Sequence, residues 1–437
     1  MLSPKAFYSL ICLMLLFSCS TSKNPLFKKS SLHDNYSNAL TEAGLNKTQL
    51  GLAWFNASAR SLQQPAPISL PFKETGYFAA EKPGATGYIF SVRRGDRVIV
   101  NINTLPATGF KLFTEIWQPA EADIKQSLLT ATDTLSRQIQ LNVKRDGRYL
   151  VRIQPELLQS IEYTITITTA PSLAFPVDKS GNPKLISLWG VPRDGGARLH
   201  EGVDISAKHR TPALASANGY ISRVSENEIG GKVVFLRDDD FGYNIYYAHL
   251  DEQFVKVGQK VLAGQQVGLV GNTGNARTTI PHLHYGIYTN NGAIDPLAFI
   301  DTKRSEPKSI SIPLQNINKW MRTTSNVPIM DGPLPSSAIV GKTSQGDAVF
   351  VESATDKFYK IILPGGVRGY VPGNGISSAP LKKITATTDT RLLDSPSLQA
   401  AAKTLIPKGT VMDIIGNYFN FSMVRFKDQQ GWVTRKL

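Results

Sequence analysis

Pro281-His282-Leu283-His284 has the pattern of a β-strand that starts at a proline and presents two imidazoles on one side. Side chains two apart in a strand share a face, so one histidine can bind a metal ion while its neighbour faces the same cavity to move protons. Proline fits the first position of such a strand and not its middle. Upstream stand His200-Glu201-Gly202-Val203-Asp204 and Tyr247-Ala248-His249-Leu250, and five of the chain's 6 histidines fall between positions 200 and 284. His200 and Asp204 are four apart, yet Gly202 and the β-branched Val203 and Ile205 argue for a loop running into a strand and not for a helix face. Two neutral imidazoles and one carboxylate make a zinc site with an open position, and further imidazoles beside it supply proton transfer. The cluster therefore points to a hydrolytic metal centre.

The chain's 437 residues exceed one core and predict three or four domains. A net charge of +14 points to a polyanionic partner: nucleic acid, an anionic membrane surface, or a carboxylate- or phosphate-bearing cell wall. The N-terminus decides among these. Lys5 precedes a mostly apolar run from Ala6 to Phe17, which has the length of a signal-peptide core and is too short for a stable transmembrane helix. Charge alone also allows nucleic acid, but an exported protein rarely meets it, which favours membrane and wall. The run ends in Leu16-Phe17-Ser18-Cys19, which resembles a bacterial lipobox. That resemblance implies a signal peptide over 1–18, a diacylated Cys19 held in a membrane, and a polar tether over 19–32. The only other cysteine, Cys12, lies in the removed segment, so the mature chain has no disulfide and no cysteine metal ligand.

Beyond the tether, the pattern predicts a mainly β, multidomain chain. Residues 33–67 form a short helical segment. Tyr36, Leu40 and Ala43 recur at helical spacing up to Gly44, and Asn46 with Gln49 resembles a capping box. The following stripe of Leu50, Trp54, Ala57 and Leu62 ends before Pro65, and His33 is expected at the surface. From 68 to 170 the period becomes two, as in Val98, Val100 and Ile102, or in Tyr163, Ile165 and Ile167, which predicts a β-sandwich. Its phrase Asp146-Gly-Arg-Tyr-Leu-Val-Arg152 resembles the late strand of the pre-peptidase C-terminal type. The histidine domain follows over 171–300, then a linker over 301–326. Gly369-Tyr370-Val371 recurs as Gly431-Trp432-Val433. The repeat resembles bacterial SH3-like domains and implies two small β-barrels over 327–378 and 384–437. No feature fixes an oligomeric state.

The order His-x-x-x-Asp, Tyr-x-His-Leu, His-x-His, with Gly271-Asn-Thr-Gly274 before the last, resembles the lysostaphin and LytM type of zinc peptidoglycan endopeptidase. Trp189-Gly190, Thr211-Pro212 and Ala217-Asn-Gly219 extend the likeness. By this resemblance His200, Asp204 and His284 are the Zn²⁺ ligands, and His249 and His282 are the catalytic pair beside a metal-activated water. Their division into base and oxyanion donor stays open. Ile280 stands where the family has a small residue and is expected to line the substrate groove. The implied activity is hydrolysis of peptide cross-links in peptidoglycan. The alternative is a non-catalytic relative that binds the wall and activates an amidase, although such regulators lack zinc ligands that are all present here. His209 is expected to be solvated, Glu201 structural, and Asp238-Asp-Asp240 a solvated turn. Tyr243, Tyr246 and Tyr247 line the groove or pack. The basic tail after residue 300 suits an anionic wall.

Overall fold

The computed structural model describes residues 30–435 apart from 123 and 133–135. The expected signal peptide, Cys19 and most of the tether lie outside the described residues. Among those described, no helix is long and apolar enough to cross a membrane. The chain is mainly β, with sheets of five, ten, eleven and six strands and one two-stranded ribbon.

The helix Leu32–Glu42 opens on a capping box between Ser31 and Asp34. The second, Gln49–Gln63, opens two residues later than expected: Thr48 caps it by accepting from the Gly51 amide, while Asn46 sits in a preceding 3₁₀ turn. Its buried face also differs, being Gly51, Trp54, Ala57, Ser58 and Ser61, with Leu50 outside. Small residues on that face permit close approach. A Cβ on Gly87 would lie 1.8 Å from the carbonyl oxygen of Ser61, so strand and helix touch backbone to backbone. His33 is buried, contrary to expectation. Its Nε2 donates to Gln154 Oε1 at 2.8 Å and its ring stacks on Trp54 at 4.9 Å. A flat aromatic partner and one acceptor are enough to bury an imidazole, and neither is local in sequence.

The sandwich forms as the period-two pattern requires. Thr86–Val92, Leu112–Gln118 and Gly147–Pro155 lie in one sheet, and Phe72–Phe78, Asp96–Leu105 and Ile161–Pro171 in the other. Their inward side chains make one core that includes Tyr88, Val98, Val100, Ile116, Ile165 and Ile167. The second sheet continues past the sandwich. Phe72–Phe78 pairs with Ala348–Thr355 of the first C-terminal repeat, with Thr75 opposite Ala354. Tyr370 of that repeat belongs to the sandwich core. The segment expected as a linker contributes as well: Lys319–Thr323 is a strand paired with Ala348–Thr355, and Ile310, Ile312 and Ile317 pack on the repeat's core. The expected closed barrels are not found among the described residues. The second repeat is an open six-stranded sheet whose edges are Lys382–Thr385 and Ala402–Ile406.

The histidine domain is an antiparallel sheet. Its central order is Lys184–Ser187, Val203–Ser206, His282–Thr289, Asn244–Gln253, Gly231–Asp238 and Gly219–Asn227. Val203, Ile205, Leu283, Tyr285, Ile287, Ile245 and Tyr247 point to one face and form its core. The opposite face is left for the cleft.

At the join between sandwich and repeat, Glu74 is fully buried and accepts from Tyr88 at 2.8 Å, Tyr163 at 3.3 Å and Tyr370 at 2.8 Å. Removing one donor from a buried carboxyl costs about 1–3 kcal/mol. Tyr370→Phe is therefore expected to destabilise the sandwich by that amount although it lies in the repeat, a loss that denaturant unfolding followed by Trp54 fluorescence would register.

Candidate metal centre

The face opposite the core carries every residue of the cluster. Alternation on Val203–Ser206 turns Asp204 and Ser206 to the cleft, and on His282–Thr289 it turns His282 and His284 there. The two strands are neighbours in a register that sets Asp204 opposite His284 and Ser206 opposite His282. His200 arrives from the preceding loop, which returns across the sheet as a strand-entry loop should.

His249 reaches the cleft by a different device. On its strand, Tyr247 pairs with Val234 and Leu250 with Lys232, so Ala248 and His249 together oppose the single residue Val233. This β-bulge shifts the alternation by one. Ile245, Tyr247 and Leu250 point to the core, while His249 turns out of it. His249 takes a left-handed φ of 61° and its amide donates to the carbonyl of Gly230 at 2.7 Å. Such a conformation costs a non-glycine residue about 1–3 kcal/mol and persists where surrounding structure enforces it.

The donor atoms converge. His200 Nε2, Asp204 Oδ1 and His284 Nδ1 stand 3.0 Å from one another on all three edges. His200 Nδ1 lies 2.8 Å from the carbonyl oxygen of Leu188, which can only accept, so Nδ1 carries the proton and the Nε2 lone pair faces the other two atoms. A lone pair, a carboxylate oxygen and a second imidazole nitrogen crowded at this distance repel unless a cation lies among them. Metal–ligand bonds of about 2.0–2.2 Å at tetrahedral angles place such atoms roughly 3.3 Å apart, so the triangle fits Zn²⁺ with slight expansion. Among the described residues this His-Asp-His group is the one assembled for a metal ion.

Electrostatics favours the ligand forms. Burial opposes charge on Asp204, but the facing imidazoles outweigh it and hold the carboxyl well below the usual carboxylate range. Burial lowers the pKa of His284 against the pull of Asp204, which keeps the ring neutral. Burial, with His282 and His284 close by, lowers His249 to about 4. Nδ1 of His249 donates to Thr273 O at 2.9 Å and Nδ1 of His282 to Ile280 O at 2.9 Å, so each leaves an Nε2 lone pair available. The two rings lie 5.0 Å apart by centroid, and His249 lies 6.1 Å from His284.

Other expectations sort themselves by the same geometry. Tyr247 packs in the core with its hydroxyl on Ser216, whereas the ring of Tyr246 meets the edge of His284 at 5.8 Å. His209 is exposed and sits 3.6 Å from Asp251, away from the cluster. Asp238 is buried, not solvated, because its carboxylate closes the turn by accepting from the amides of Asp240, Phe241 and Tyr243. Ile280 is 61% exposed at the cleft's rim, and its carbonyl orients His282. Arg193 was not foreseen. Its Nη2 donates to Asp204 Oδ2 at 2.6 Å and to Ser187 Oγ at 2.8 Å, fixing which oxygen of Asp204 faces the histidines. The carbonyls of Leu188, Thr273 and Ile280 were equally invisible, since backbone acceptors leave no mark in a sequence.

Residues 198–296 match the model of peptidase family M23. The chain carries an M23-type peptidase domain. It is 38% identical over 127 residues to the L-Ala–D-Glu endopeptidase of Bacillus subtilis, covering 27% of this chain and 39% of that one. It is 35% identical over 114 residues to the peptidoglycan DD-endopeptidase ShyC of Vibrio cholerae, covering 26% and 25%. It is also 35% identical over 154 residues to the uncharacterized lipoprotein YgeR of Escherichia coli, covering 33% and 59%. The chain thus spans between a quarter and three fifths of the length of these curated relatives. M23 peptidases are zinc-dependent, and the His-Asp-His group is consistent with that.

Gly202 separates the two ligand-bearing stretches, and a Cβ there would lie 2.6 Å from Tyr285 O and 2.8 Å from the His284 ring. Gly202→Ala is expected to push His284 off the triangle and weaken zinc binding by about 10- to 100-fold, as displaced supporting groups do. Competition against a chromophoric chelator would measure it, and an unchanged affinity would show that His284 is not held by this contact.

Proposed function

We propose that this protein is a zinc-dependent endopeptidase that hydrolyses peptide cross-links of peptidoglycan. His200, Asp204 and His284 are the metal ligands in this proposal, and His249 and His282 the proton-handling pair. The observation that carries it is the triangle of donor atoms 3.0 Å apart, with two further imidazoles directed to the same cleft. Peptidoglycan endopeptidases among the relatives support the substrate class. Because they differ in the bond named, L-Ala–D-Glu in one and DD in another, the cross-link itself is left open.

Bound zinc supplies Lewis acidity at the scissile carbonyl and acidifies water toward neutral pH. The chain's own groups do the rest. Nε2 of His249 or His282 accepts the proton from attacking water, which their Nδ1 bonds to backbone carbonyls prepare by fixing the tautomer. The imidazole that took this proton then carries it at Nε2 and returns it to the departing amine, while the developing oxyanion would be stabilised by bound zinc. Burial and the neighbouring His282 and His284 lower the pKa of His249, which keeps its ring neutral, and the division of roles between His249 and His282 is not assigned. Arg193 holds Oδ2 of Asp204 so that Oδ1 stays directed at the metal position.

We further propose that Cys19 anchors the chain by lipid in the cell envelope, with the basic C-terminal repeats binding the wall. The likeness to a protein named as a lipoprotein supports this placement. The amidase-activating regulator is the second reading. It is disfavoured because every metal-binding and proton-handling residue is present and assembled.

Metal analysis of the purified protein is expected to find one zinc per chain, lost in His284→Ala and retained in His249→Ala. A wild type that takes up no zinc would refute the enzyme. In the zinc-loaded protein, His249→Ala and His282→Ala are each expected to lower release of muropeptides from sacculi by about 10²- to 10⁴-fold. Zinc-loaded wild type that releases nothing but stimulates an amidase would replace this proposal with the regulator.

A further inference from the structure

The ribbon that delivers His200 also brings a cation to the metal triangle. Pro192–Arg193 pairs antiparallel with Arg198–Leu199, and the turn between them contains Gly195 and Gly196 at φ of 69° and 100°, a backbone that favours glycine. Two backbone bonds of 2.9 Å close its base, from Gly190 N to His200 O and from His200 N to Val191 O. Arg193 and His200 thus belong to one small closed unit.

One nitrogen of Arg193, Nη2, donates to Asp204 Oδ2 at 2.6 Å and to Ser187 Oγ at 2.8 Å. Ser187 lies opposite Asp204 in the strand pairing, and its Oγ stands 3.3 Å from His200 Nδ1. The side chains of Arg193 and Asp204 are 32% and 10% exposed, so their charge-assisted bond lies in the wall of the cleft and is screened less than a surface ion pair.

A carboxylate can grip a cation with one oxygen or with both, and large oxygen-seeking ions such as Ca²⁺ often take both. Zinc in a site open to substrate takes three protein atoms and leaves a fourth position. For Asp204 the choice is constrained. Its Oδ1 forms two 3.0 Å edges of the donor triangle, while its Oδ2 is engaged by Arg193 and reaches the metal position only if that bond breaks. The guanidinium also draws negative charge from the carboxylate, which leaves a bound cation more electrophilic.

We propose that Arg193 is a positioning residue that keeps Asp204 to a single metal bond, and so holds the fourth coordination position open and favours zinc over larger oxygen-seeking divalent ions. The inference rests on the reading of His200, Asp204 and His284 as metal ligands; the Arg193 bond itself does not. Arg193 acts through Asp204 and not on the substrate. Without it Asp204 binds through both oxygens, and the coordination number rises by one at the expense of the open position.

The test loads the full mature chain with Co²⁺, whose visible bands are intense when four ligands surround the ion and weaken when a fifth joins. Wild type is expected to show the intense bands and Arg193→Met the weakened ones. Arg193→Lys, which keeps a cation within reach of Oδ2, is expected to stay close to wild type. Competition of Zn²⁺ against Mn²⁺ reads the same change: the preference for zinc is expected to fall about tenfold in Arg193→Met. Ser187→Ala removes one of the two acceptors that orient the guanidinium. It is expected to move both readouts the same way by less, which supplies the comparison should Arg193→Met fail to fold. Bands and preference in Arg193→Met equal to wild type would overturn the inference. So would an equal loss in Arg193→Lys, which would make the packing of the side chain and not its charge the cause. A wild type that binds neither Co²⁺ nor Zn²⁺ would overturn the metal site, and this inference with it.

Discussion

The register that sets Asp204 opposite His284 is the constraint on which the site depends. It is enforced from the other side of the sheet, where Val203, Ile205, Leu283 and Tyr285 are fully buried. A slip of one residue would send these four to the cleft and both ligands to the core, exchanging the environment of every side chain on the strand. The hydrophobic face therefore sets Asp204 and His284 side by side, while Arg193 and the carbonyl of Leu188 orient Asp204 and the loop-borne His200.

The bulge at Ala248–His249 is the complement to that regularity. A perfect ladder would have placed His249 beside Ile245 and Tyr247 in the core. The extra residue turns it out at the expense of a left-handed backbone, and the core resumes at Leu250. Strain is thus concentrated at His249, where the two neighbouring strands and the amide bond to Gly230 hold it. The same site shows how polar satisfaction selects function. Three backbone carbonyls each take the proton of one imidazole, and the remaining nitrogens are left as lone pairs in the cleft.

The outer domains obey a different logic. The sequence pattern predicts a sandwich over 68–170 and repeats over 327–378 and 384–437, and in the fold one sheet runs from the sandwich into the first repeat, with Glu74 shared among phenols of both. The pattern of alternating residues is the same for an edge strand that stays free and for one that pairs with another domain, so nothing local distinguishes them. The buried carboxyl makes the contact between the two units specific, since losing one phenol while the join stays closed leaves Glu74 short of a donor.

Residue types already tell which atoms are able to bind zinc, and the spacing of two in His282-Leu-His284 with the β-branched surround of Asp204 tells that these side chains stand on strand faces. The sequence by itself also determined the mainly β class, because period-two alternation dominates from 68 onward. Only the tertiary structure decided the rest. Arg193 meets Asp204, His33 finds Gln154 and Trp54, and Lys360 reaches Thr86 through contacts between segments distant in the chain, and no periodicity records such meetings. The bulge belongs here too, for it is a mismatch between two strands and exists only once they are paired.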